Sequence, residues 1–310
     1  MPRFFALLCL PTLLSAAPLT EHVFIFSFDG GNPAVIAESD MPNLKRLAAK
    51  GATTWEAKTI VPPKTLPSHT SMVTGVDITK HRIDWNDFQP IRGAVRVPTI
   101  FSLAKAARPE ITTAIFAGKI KFRHLWVRDS LDVFNCGGAQ DGSPLPASED
   151  KKLVPSQGVA DQAVAYILAS KPALCMIHFP DPDSAGHKSG WGSPEQKEAF
   201  KVTDQAFGRV LKAIEKAGIA NRSTLIMTAD HGGKDKSHSL DIPENRIIPW
   251  IAWGKGVKKG HKITQSIMTY DTAATALWLL DVPVPAEFDG TPVTDAFDAP
   301  VPAAVPAVSR

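Results

Sequence analysis

Short apolar runs alternate with segments of helical periodicity along most of the chain. The runs are HVFIFSF, TTAIFAG, ALCMIHF and STLIMTA. Continuous apolar stretches of this length are typical of strands that are buried on both faces of a sheet. Amphipathic segments such as MPNLKRLAAKG, VPTIFSLAKAA and QGVADQAVAYILAS lie between them. The alternation predicts an α/β fold, with a mostly parallel central sheet and helices on both of its faces.

The longest helical pattern is SPEQKEAFKVTDQAFGRVLKAIEKAG. Its apolar residues share one helical face, and Gly218 follows the pattern as a typical C-terminal signal. These residues are Phe200, Phe207, Val210, Leu211 and Ile214. We interpret this face as ordinary core packing.

The bulk composition limits the architecture and the function. The chain has 310 residues, 44% apolar content and a net charge of only +3. It shows no basic stripe with interleaved aromatic residues, so binding of duplex nucleic acid is not expected. Residues 1–17 resemble a signal peptide, with Arg3 before an apolar run that is too short to span a bilayer. We predict one domain over 18–299, a disordered tail over 300–310, and export to a secreted or periplasmic location.

The cysteines leave two alternatives open. Cys9 would leave with the signal peptide, so Cys136 and Cys175 remain. They would form one disulfide in an oxidising compartment or stay as two buried thiols. Residues 135–157 are rich in Gly, Ser, Pro and Asp and are predicted to form a surface loop.

Six potential metal ligands and one hydroxyl residue lie in order along the chain, most of them just after an apolar run. They are Asp29, Thr65, Asp183, His187, Asp230, His231 and His238. The carboxyl ends of parallel strands meet at one edge of the sheet, which is where such folds bind ligands. Asp and His together suit zinc or manganese, and six ligands make two sites of three. A hydroxyl between two cations would be a metal-activated nucleophile, which indicates phosphoryl chemistry.

Each residue taken alone also has a plain structural interpretation. An Asp at a strand end is often a turn residue, and His238 lies in a polar stretch where a surface histidine is common. Thr65 precedes LPSHTSMVTG, a helix of modest length that it would either cap or open as a nucleophile. In the second case, free N–H groups of the helix would hold the transferred group. The two glycines after Asp29 would let a ligand approach the backbone closely.

The combined motifs resemble the alkaline phosphatase superfamily, and most of all its nucleotide pyrophosphatase/phosphodiesterase-like branch. The matching segments are FDGG, PNLKRLAAKGA, PPKTLPSHTSMVTG, PDSAGH, TADHGG, IPWIAWGKGVKKG and DTAATALWLLDVPVPAEFDG. They extend from about residue 22 to about residue 297 and are much more specific for the superfamily than for a substrate.

The resemblance implies two divalent ions, usually zinc. One would bind Asp183, His187 and His238. The other would bind Asp29, Asp230 and His231, with Thr65 as a further ligand. Thr65 would attack phosphorus and form a covalent phospho-threonine, which water would then release.

Three further residues match substrate-binding positions of relatives. Asn86, in HRIDWND, corresponds to an amide that binds a phosphate oxygen, although a turn residue is the structural alternative. Lys119 and Lys121, in AGKIKFRH, resemble the paired basic residues of monoester- and phosphonate-cleaving relatives. Their alternative is a solvated loop.

Several departures from the branch bear on the function. The chain is short, and His238 is close to the DHG motif where relatives place the last histidine far downstream, with His261 as a weaker substitute. The paired lysines would favour a dianionic monoester, whereas Thr at position 65 argues against a sulfatase. We therefore predict a phosphodiesterase acting on a small phosphorylated substrate, with a phosphomonoesterase or phosphonate-cleaving hydrolase as the runner-up. Phosphoryl transfer to an acceptor other than water, and a silent metal-site binding protein, are the remaining alternatives.

Overall fold

A computed structural model describes residues 18–137 and 153–299. The predicted signal peptide over 1–17 and the predicted tail over 300–310 lie outside these residues. Residues 138–152 of the predicted surface loop also lie outside them.

The described residues form one eight-stranded sheet in the order β4–β3–β5–β1–β6–β7–β2–β8. The strands are β1 His22–Phe28, β2 Ala52–Lys58, β3 Thr113–Ala117, β4 Val133–Cys136, β5 Leu174–Phe179, β6 Ser223–Thr228, β7 Ile247–Gly254 and β8 His261–Lys262.

The α-helices connect and cover the strands. They are α1 Pro33–Glu38, α2 Pro42–Lys50, α3 Thr65–Thr74, α4 Ile78–His81, α5 Ile100–Ala107, α6 Ser156–Ser170, α7 Asp181–Ser189, α8 Pro194–Lys216, α9 Pro243–Arg246 and α10 Asp271–Leu279. Short 3-10 turns are present at Pro90–Arg92, Ile120–Leu125, Ala220–Arg222 and Thr294–Ala296.

The prediction of a mostly parallel α/β sheet is confirmed. Strands β4, β3, β5, β1 and β6 are parallel neighbours, and β8 is parallel to β2. Strand β7 differs, because it is antiparallel to both β6 and β2. A parallel return needs a crossover, usually a long helix, whereas the segment between β6 and β7 contains only the four-residue α9.

Alternating side chains of β1 serve the two faces of the sheet. Val23 and Ile25 belong to the core under α3, α5 and α10, whereas Phe24, Phe26 and Phe28 belong to the core under α2, α6 and α8. The ring of Phe26 packs edge-on against Phe207 of α8, with centroids 4.8 Å apart. The long apolar helical face therefore packs into the core, as predicted.

The longest helix, α8, has 23 residues and is amphipathic. Within residues 18–137 and 153–299, the helices lack the length or the apolarity that crossing a bilayer requires. Cys136 and Cys175 are both buried free thiols in the structure, which agrees with the alternative of two unpaired thiols and not with a disulfide. Burial raises the pKa of Cys136 to about 12, as expected for an inert thiol in an apolar environment.

The parallel strands place the chemically interesting residues together. Strands β3, β5, β1 and β6 are neighbours with the same direction, so their carboxyl ends share one edge of the sheet. In this class of fold, ligands bind at that edge.

Candidate metal centre and nucleophile

The sheet edge brings together all seven residues that the sequence singles out as ligands or nucleophile. Asp29 follows β1, and Asp230 and His231 follow β6. Asp183 and His187 lie one turn apart on α7, which follows β5. Thr65 is the first residue of α3, and His238 comes from the segment between β6 and α9.

Asp183, His187 and His238 form the first group. The Nε2 atom of His187 lies 3.4 Å from Asp183 Oδ1 and 3.1 Å from His238 Nε2. His238 Nε2 lies 3.7 Å from the same Asp183 oxygen. Ligand atoms bound tetrahedrally at zinc-like bond lengths are ~3.3 Å apart, so the three atoms have the spacing of ligands to one ion.

Asp29, Asp230 and His231 form the second group. His231 Nε2 lies 3.5 Å from Asp29 Oδ1 and 3.2 Å from Asp230 Oδ2. The Thr65 hydroxyl is 3.3 Å from the same nitrogen. His231 Nε2 is also 3.9 Å from Asp183 Oδ1, so Asp183, His231 and His238 make a further possible triad. His231 therefore lies at the boundary between the two groups.

Three carboxylate oxygens in this centre are buried without a hydrogen-bond donor from the described residues. They are Asp29 Oδ1, Asp183 Oδ1 and Asp230 Oδ2, which lie 3.5 Å, 3.9 Å and 3.2 Å from His231 Nε2. A buried carboxylate oxygen without a donor is energetically costly. Their convergence on imidazole nitrogens is the arrangement that divalent cations satisfy, so these residues fit the ions that the sequence predicts.

Main-chain carbonyls fix the orientation of the three histidines. The Nδ1 atom of His187 is 2.9 Å from Lys236 O, that of His231 is 2.8 Å from Gly232 O, and that of His238 is 2.7 Å from Pro63 O. A carbonyl only accepts, so each Nδ1 carries the proton and each Nε2 presents its lone pair to the centre.

Burial keeps the deeper rings neutral. It lowers the pKa of His231 to about 3 and also lowers the pKa of His238. Neutral imidazole is the form that binds metal ions, because a protonated ring has no lone pair to donate. The two rings stack with centroids 3.6 Å apart.

Lys119, which follows β3, links the two groups. Its Nζ atom lies 2.6 Å from Asp29 Oδ2 and 2.6 Å from Asp183 Oδ2. Burial alone would raise the pKa of Asp29, but the charge of Lys119 and the hydrogen bond from His178 hold that pKa well below its usual value. Burial, and then the charge of Asp29, raise the pKa of Asp230 well above its usual value. Asp230 therefore resists ionisation beside the other carboxylates, even with Lys119 present.

The two lysines predicted to bind phosphate occupy different environments. Only 12% of the Lys119 side chain is exposed, and its ammonium group lies on Asp29 and Asp183, so the solvated-loop alternative does not apply to it. Lys121 is half-buried in the 3-10 turn Ile120–Leu125.

Asn86 and Thr65 meet at the start of α3. The N–H of Leu66 donates to Asn86 Oδ1 at 2.9 Å, so the Asn86 side chain caps this helix. Thr65 is not the cap, because Lys64 occupies that position and the Thr65 hydroxyl faces His231. The expectation of several free N–H groups is wrong in detail, since Pro67 has none and Leu66 is taken. Within the described residues, the Thr65 N–H has no acceptor.

His178 supports the centre and was not identified from the sequence. The N–H of Gly118 donates to His178 Nδ1 at 3.2 Å, so Nε2 carries the proton and donates to Asp29 Oδ2 at 2.7 Å. The hydrogen bond orients Asp29 and directs its other oxygen to the centre. The sequence feature that could have indicated this role is a histidine in the otherwise apolar strand ALCMIHF.

His69 supports Thr65, the candidate nucleophile, in a similar way. Its Nδ1 atom donates to Thr65 O at 2.8 Å, and its Nε2 atom then accepts from the Ser27 hydroxyl at 2.7 Å. These bonds tie the first turn of α3 to β1. Burial holds the pKa of His69 well below its usual value, so this link is made by a neutral ring.

The glycines beside the ligands serve the fold rather than ligand approach. Gly30 has φ +73° and donates its N–H to Asp230 Oδ1 at 3.1 Å. A Cβ atom on Gly233 would lie 2.0 Å from the Trp191 ring. Trp191 in turn donates its indole N–H to Gly30 O at 3.0 Å and packs against His187. Backbone conformation and close packing account for the glycines at these positions.

The alternative histidine, His261, lies apart from the centre. It is on the short edge strand β8, where its Nε2 atom is 2.8 Å from Asp295 Oδ1. The structure therefore groups His238, and not His261, with Asp183 and His187.

The sequence model of the family described as type I phosphodiesterase / nucleotide pyrophosphatase matches residues 23–265. Ectonucleotide pyrophosphatase/phosphodiesterase family member 7 of Mus musculus is 27% identical over 73% of this chain and 54% of its own length. Family member 3 of Rattus norvegicus is 26% identical over 68% of this chain and 24% of its own length.

The fold has a matching solved structure. Human ectonucleotide pyrophosphatase/phosphodiesterase 5 superposes with a TM-score of 0.70 at 16% identity, covering 90% of this chain and 100% of that chain. The chain spans about half or less of the length of the two curated relatives described above. The family match covers well over half of the present sequence, and the chain belongs to the type I phosphodiesterase / nucleotide pyrophosphatase family.

Proposed function

We propose that this chain is a metal-dependent hydrolase of phosphoric esters that acts through a covalent phospho-threonine on Thr65. The observation that carries the proposal is the convergence of three donorless carboxylate oxygens, three imidazole Nε2 atoms and one hydroxyl. The membership in a family of phosphodiesterases and pyrophosphatases supports the same reaction class.

Two divalent ions, with zinc as the expected metal, would occupy the two groups. Asp183, His187 and His238 would hold one ion. Asp29, Asp230, His231 and Thr65 would hold the other. When bound, the ions supply positive charge that offsets the phosphate charge and favours the deprotonated form of a hydroxyl or a water.

Thr65 performs the first step of the proposed reaction. Its Oγ atom forms a bond to phosphorus while the bond from phosphorus to the leaving-group oxygen breaks. Water then forms the new bond to phosphorus, and the bond to Thr65 breaks.

The phosphate oxygens would be held from the start of α3. The Thr65 N–H is available there, and the Oδ1 contact of Asn86 leaves its Nδ2 group to donate to a phosphate oxygen. Lys119 would add positive charge beside the phosphate, and Lys121 would contribute from the following 3-10 turn.

We infer a small phosphodiester as the preferred substrate, in agreement with the family. The runner-up is a phosphomonoester or a phosphonate, because two lysines would favour a dianion over a monoanion. The complete set of ligands together with Thr65 argues against a silent binding protein. Transfer to an acceptor other than water would use the same first step.

Export is a further part of the proposal. Arg3, the apolar run and the small residues near Ala17 support cleavage after residue 17. N-terminal sequencing of secreted protein from the native host would test it, and a retained Met1 would contradict it.

The decisive experiment combines a substrate panel with mass spectrometry. The panel contains bis(p-nitrophenyl) phosphate, p-nitrophenyl phosphate and p-nitrophenyl sulfate. A higher kcat/KM for the diester supports the preferred substrate class, and turnover of the sulfate alone would contradict the proposal. Protein quenched in acid during turnover should carry phosphate or phosphoester on the peptide that contains Thr65.

A further inference from the structure

A cavity of about 670 Å³ lies near the amino end of β6, whereas the metal centre lies at the carboxyl ends of the parallel strands. It is bounded by the end of α2, the 3-10 turn Ala220–Arg222 and the segment that follows β7. Strand β7 is antiparallel to β6, so its carboxyl end, Gly254, pairs with Thr224 near the amino end of β6. Thr228, at the other end of β6, is roughly 13 Å from Thr224 at the usual rise per residue.

The charged side chains of this cavity are all positive. Lys50, Lys255 and Lys259 line it, and no Asp or Glu of the described chain does. The described residues provide no ion-pair partner for these three lysines. Lys258, which does not line the cavity, is 3.8 Å from Asp295. Like charges held near one another without a counter-charge attract anions.

The helix dipole accounts for a lysine at position 50, but no comparable interaction accounts for Lys255 and Lys259. Lys50 is the last residue of α2, where a cation interacts favourably with the helix dipole. Lys255 and Lys259 lie in the segment between β7 and β8 and have no such partner. These two ammonium groups therefore carry the argument for an anionic ligand.

The rest of the lining is mainly apolar, with Asn221 as a further polar residue. Trp253 is half-buried and partly faces the cavity, with Ala49, Ala220 and Val257 around it. A Cβ atom on Gly254 would lie 2.3 Å from Ser223 O, so the wall next to Trp253 is closely packed. An apolar cavity of this size with a few polar groups is typical of small-molecule sites.

We propose that this cavity binds a small organic anion with a planar, apolar body. The body would pack on the Trp253 indole, and the anionic group would contact Lys255 and Lys259 through charge-assisted hydrogen bonds. The site is separate from the metal centre, and the proposal does not depend on the proposed catalytic activity.

The test is calorimetric titration of the full chain with three probes. Naphthalene-2-sulfonate has both a planar body and an anionic group, sulfate has only the charge, and 2-naphthol has only the body. We expect saturable binding of naphthalene-2-sulfonate at one site, at least about tenfold tighter than either of the other probes. Its binding should weaken at high salt. In NMR spectra, the indole N–H resonance of Trp253 should shift during the titration. Its disappearance in Trp253→Phe assigns that resonance.

Variants locate the site. The double variant Lys255→Ala/Lys259→Ala should weaken binding at least about tenfold, whereas Lys212→Ala/Lys216→Ala removes the same charge from the exposed face of α8 and should change it less than about twofold. Ala49→Leu keeps all charges, is well tolerated on an exposed helix position, and should weaken binding by filling the cavity. Thr65→Ala should bind the probe like the wild type.

Four results would overturn the proposal. They are absence of saturable binding, equal weakening by both lysine double variants, equally tight binding of sulfate or 2-naphthol, and loss of binding in Thr65→Ala.

Discussion

Each histidine of the centre has its Nδ1 atom bonded to a main-chain carbonyl, so the backbone itself decides which nitrogen faces the ligands. His238 is bonded to Pro63 O, two residues before Thr65. The loop that precedes Thr65, the proposed nucleophile, therefore also orients a candidate ligand of the first group. This coupling explains why a histidine in the polar stretch KDKSHS is buried rather than exposed.

Metal content tests the choice of histidine. His238→Ala removes a ligand that lies within 3.7 Å of both partners of its group, so it should lose about one of two bound ions. His261→Ala is the matched control and should keep both ions, because His261 contacts Asp295 on β8. The measurement is elemental analysis of purified protein. One ion or none in the wild type, or loss of an ion in His261→Ala alone, would contradict the assignment.

Variants of Thr65 test the nucleophile. Thr65→Ala keeps the six other ligand residues and should keep its metal, but should lose turnover by about a thousandfold or more because the covalent path is closed. Thr65→Ser keeps a hydroxyl and should retain part of the activity. Steady-state kinetics with metal analysis of both variants separates the two roles. Full activity of Thr65→Ala would mean that water attacks phosphorus directly.

Lys119 allows a test of substrate charge. Lys119→Met removes the ammonium group near the phosphate but keeps a long apolar side chain. It should lower kcat/KM for a dianionic monoester about tenfold more than for a monoanionic diester. Elemental analysis must accompany the kinetics, because Lys119 also contacts Asp29 and Asp183. An equal loss for both esters with the metal retained would indicate a positioning role instead.

At the residue scale, the sequence was informative where motifs occur in order. The candidate ligands and Thr65, which the structure brings together at one end of the strands, stand out in the sequence because acidic residues and histidines follow apolar strands. His178, His69 and Trp191 were not identified, because their roles depend on contacts across the fold. A histidine within a buried strand carries no pattern that distinguishes a ligand-supporting ring from a packed one.

Helix α3 is the element that joins fold and chemistry. All ten of its residues are buried, so its position is fixed by packing on both sides. Asn86 closes its amino end from another part of the chain, and His69 ties its first turn to β1 through Ser27. The proposed nucleophile, Thr65, therefore lies on a closely packed support, as precise attack on phosphorus would require.

Variants of Asn86 can distinguish a role in helix capping from a role in phosphate binding. Asn86→Asp keeps the acceptor for the Leu66 N–H but replaces the Nδ2 donor with an anionic oxygen. It should preserve stability while lowering kcat/KM by about tenfold or more, because it repels phosphate. Asn86→Ala should lower both, with a loss of about 1 kcal/mol in the free energy of unfolding. Urea unfolding and steady-state kinetics provide the two readouts, and a fully active Asn86→Asp would leave only the capping role.

At the element scale, the sequence predicted the buried parallel strands and the long helices but missed the remainder of the sheet. Strand β2, ATTWEAK, has mixed polarity along an edge region, and its partners β7 and β8 are distant in sequence. Strand β4 ends at Cys136, inside a stretch predicted to be a surface loop. Pairing with a neighbouring strand stabilises such short segments, and periodicity within one segment cannot show it.

At the scale of the whole molecule, the metal centre destabilises the folded state when no cations are bound. Three buried carboxylates and several buried neutral histidines are grouped at one edge of the sheet, and desolvation opposes charge on all of them. Such groups make stability depend on both metal and pH. Metal binding affects stability most strongly through the groups of the centre. The effect of pH on stability is therefore best measured at a buried histidine outside the centre.

His81 is such a residue. It is buried at the end of α4, where its Nδ1 atom accepts from the Ile83 N–H at 3.0 Å and its Nε2 atom donates to the Ser71 hydroxyl at 3.0 Å. The contact with Ile83 requires the neutral ring, because a protonated Nδ1 cannot accept, and burial lowers the pKa of His81 from 6.5 to about 4. Between these values the unfolded chain binds a proton that the folded chain does not. A lowered folded pKa means that stability is complete above pH 6.5 and decreases as pH falls toward about 4.

The expected contribution of His81 is about 3 kcal/mol over that window, at ~1.4 kcal/mol per pKa unit. His81→Gln cannot titrate there, so its free energy of unfolding should fall less between about pH 7 and about pH 4.5 than that of the wild type, by about 2–3 kcal/mol. It should also be less stable than the wild type at pH 7, because its amide does not reproduce both hydrogen bonds. Urea unfolding of both proteins at the same metal concentration removes the contribution of the centre from the comparison. If the two proteins lost the same stability on acidification, proton binding to His81 would not contribute to acid unfolding.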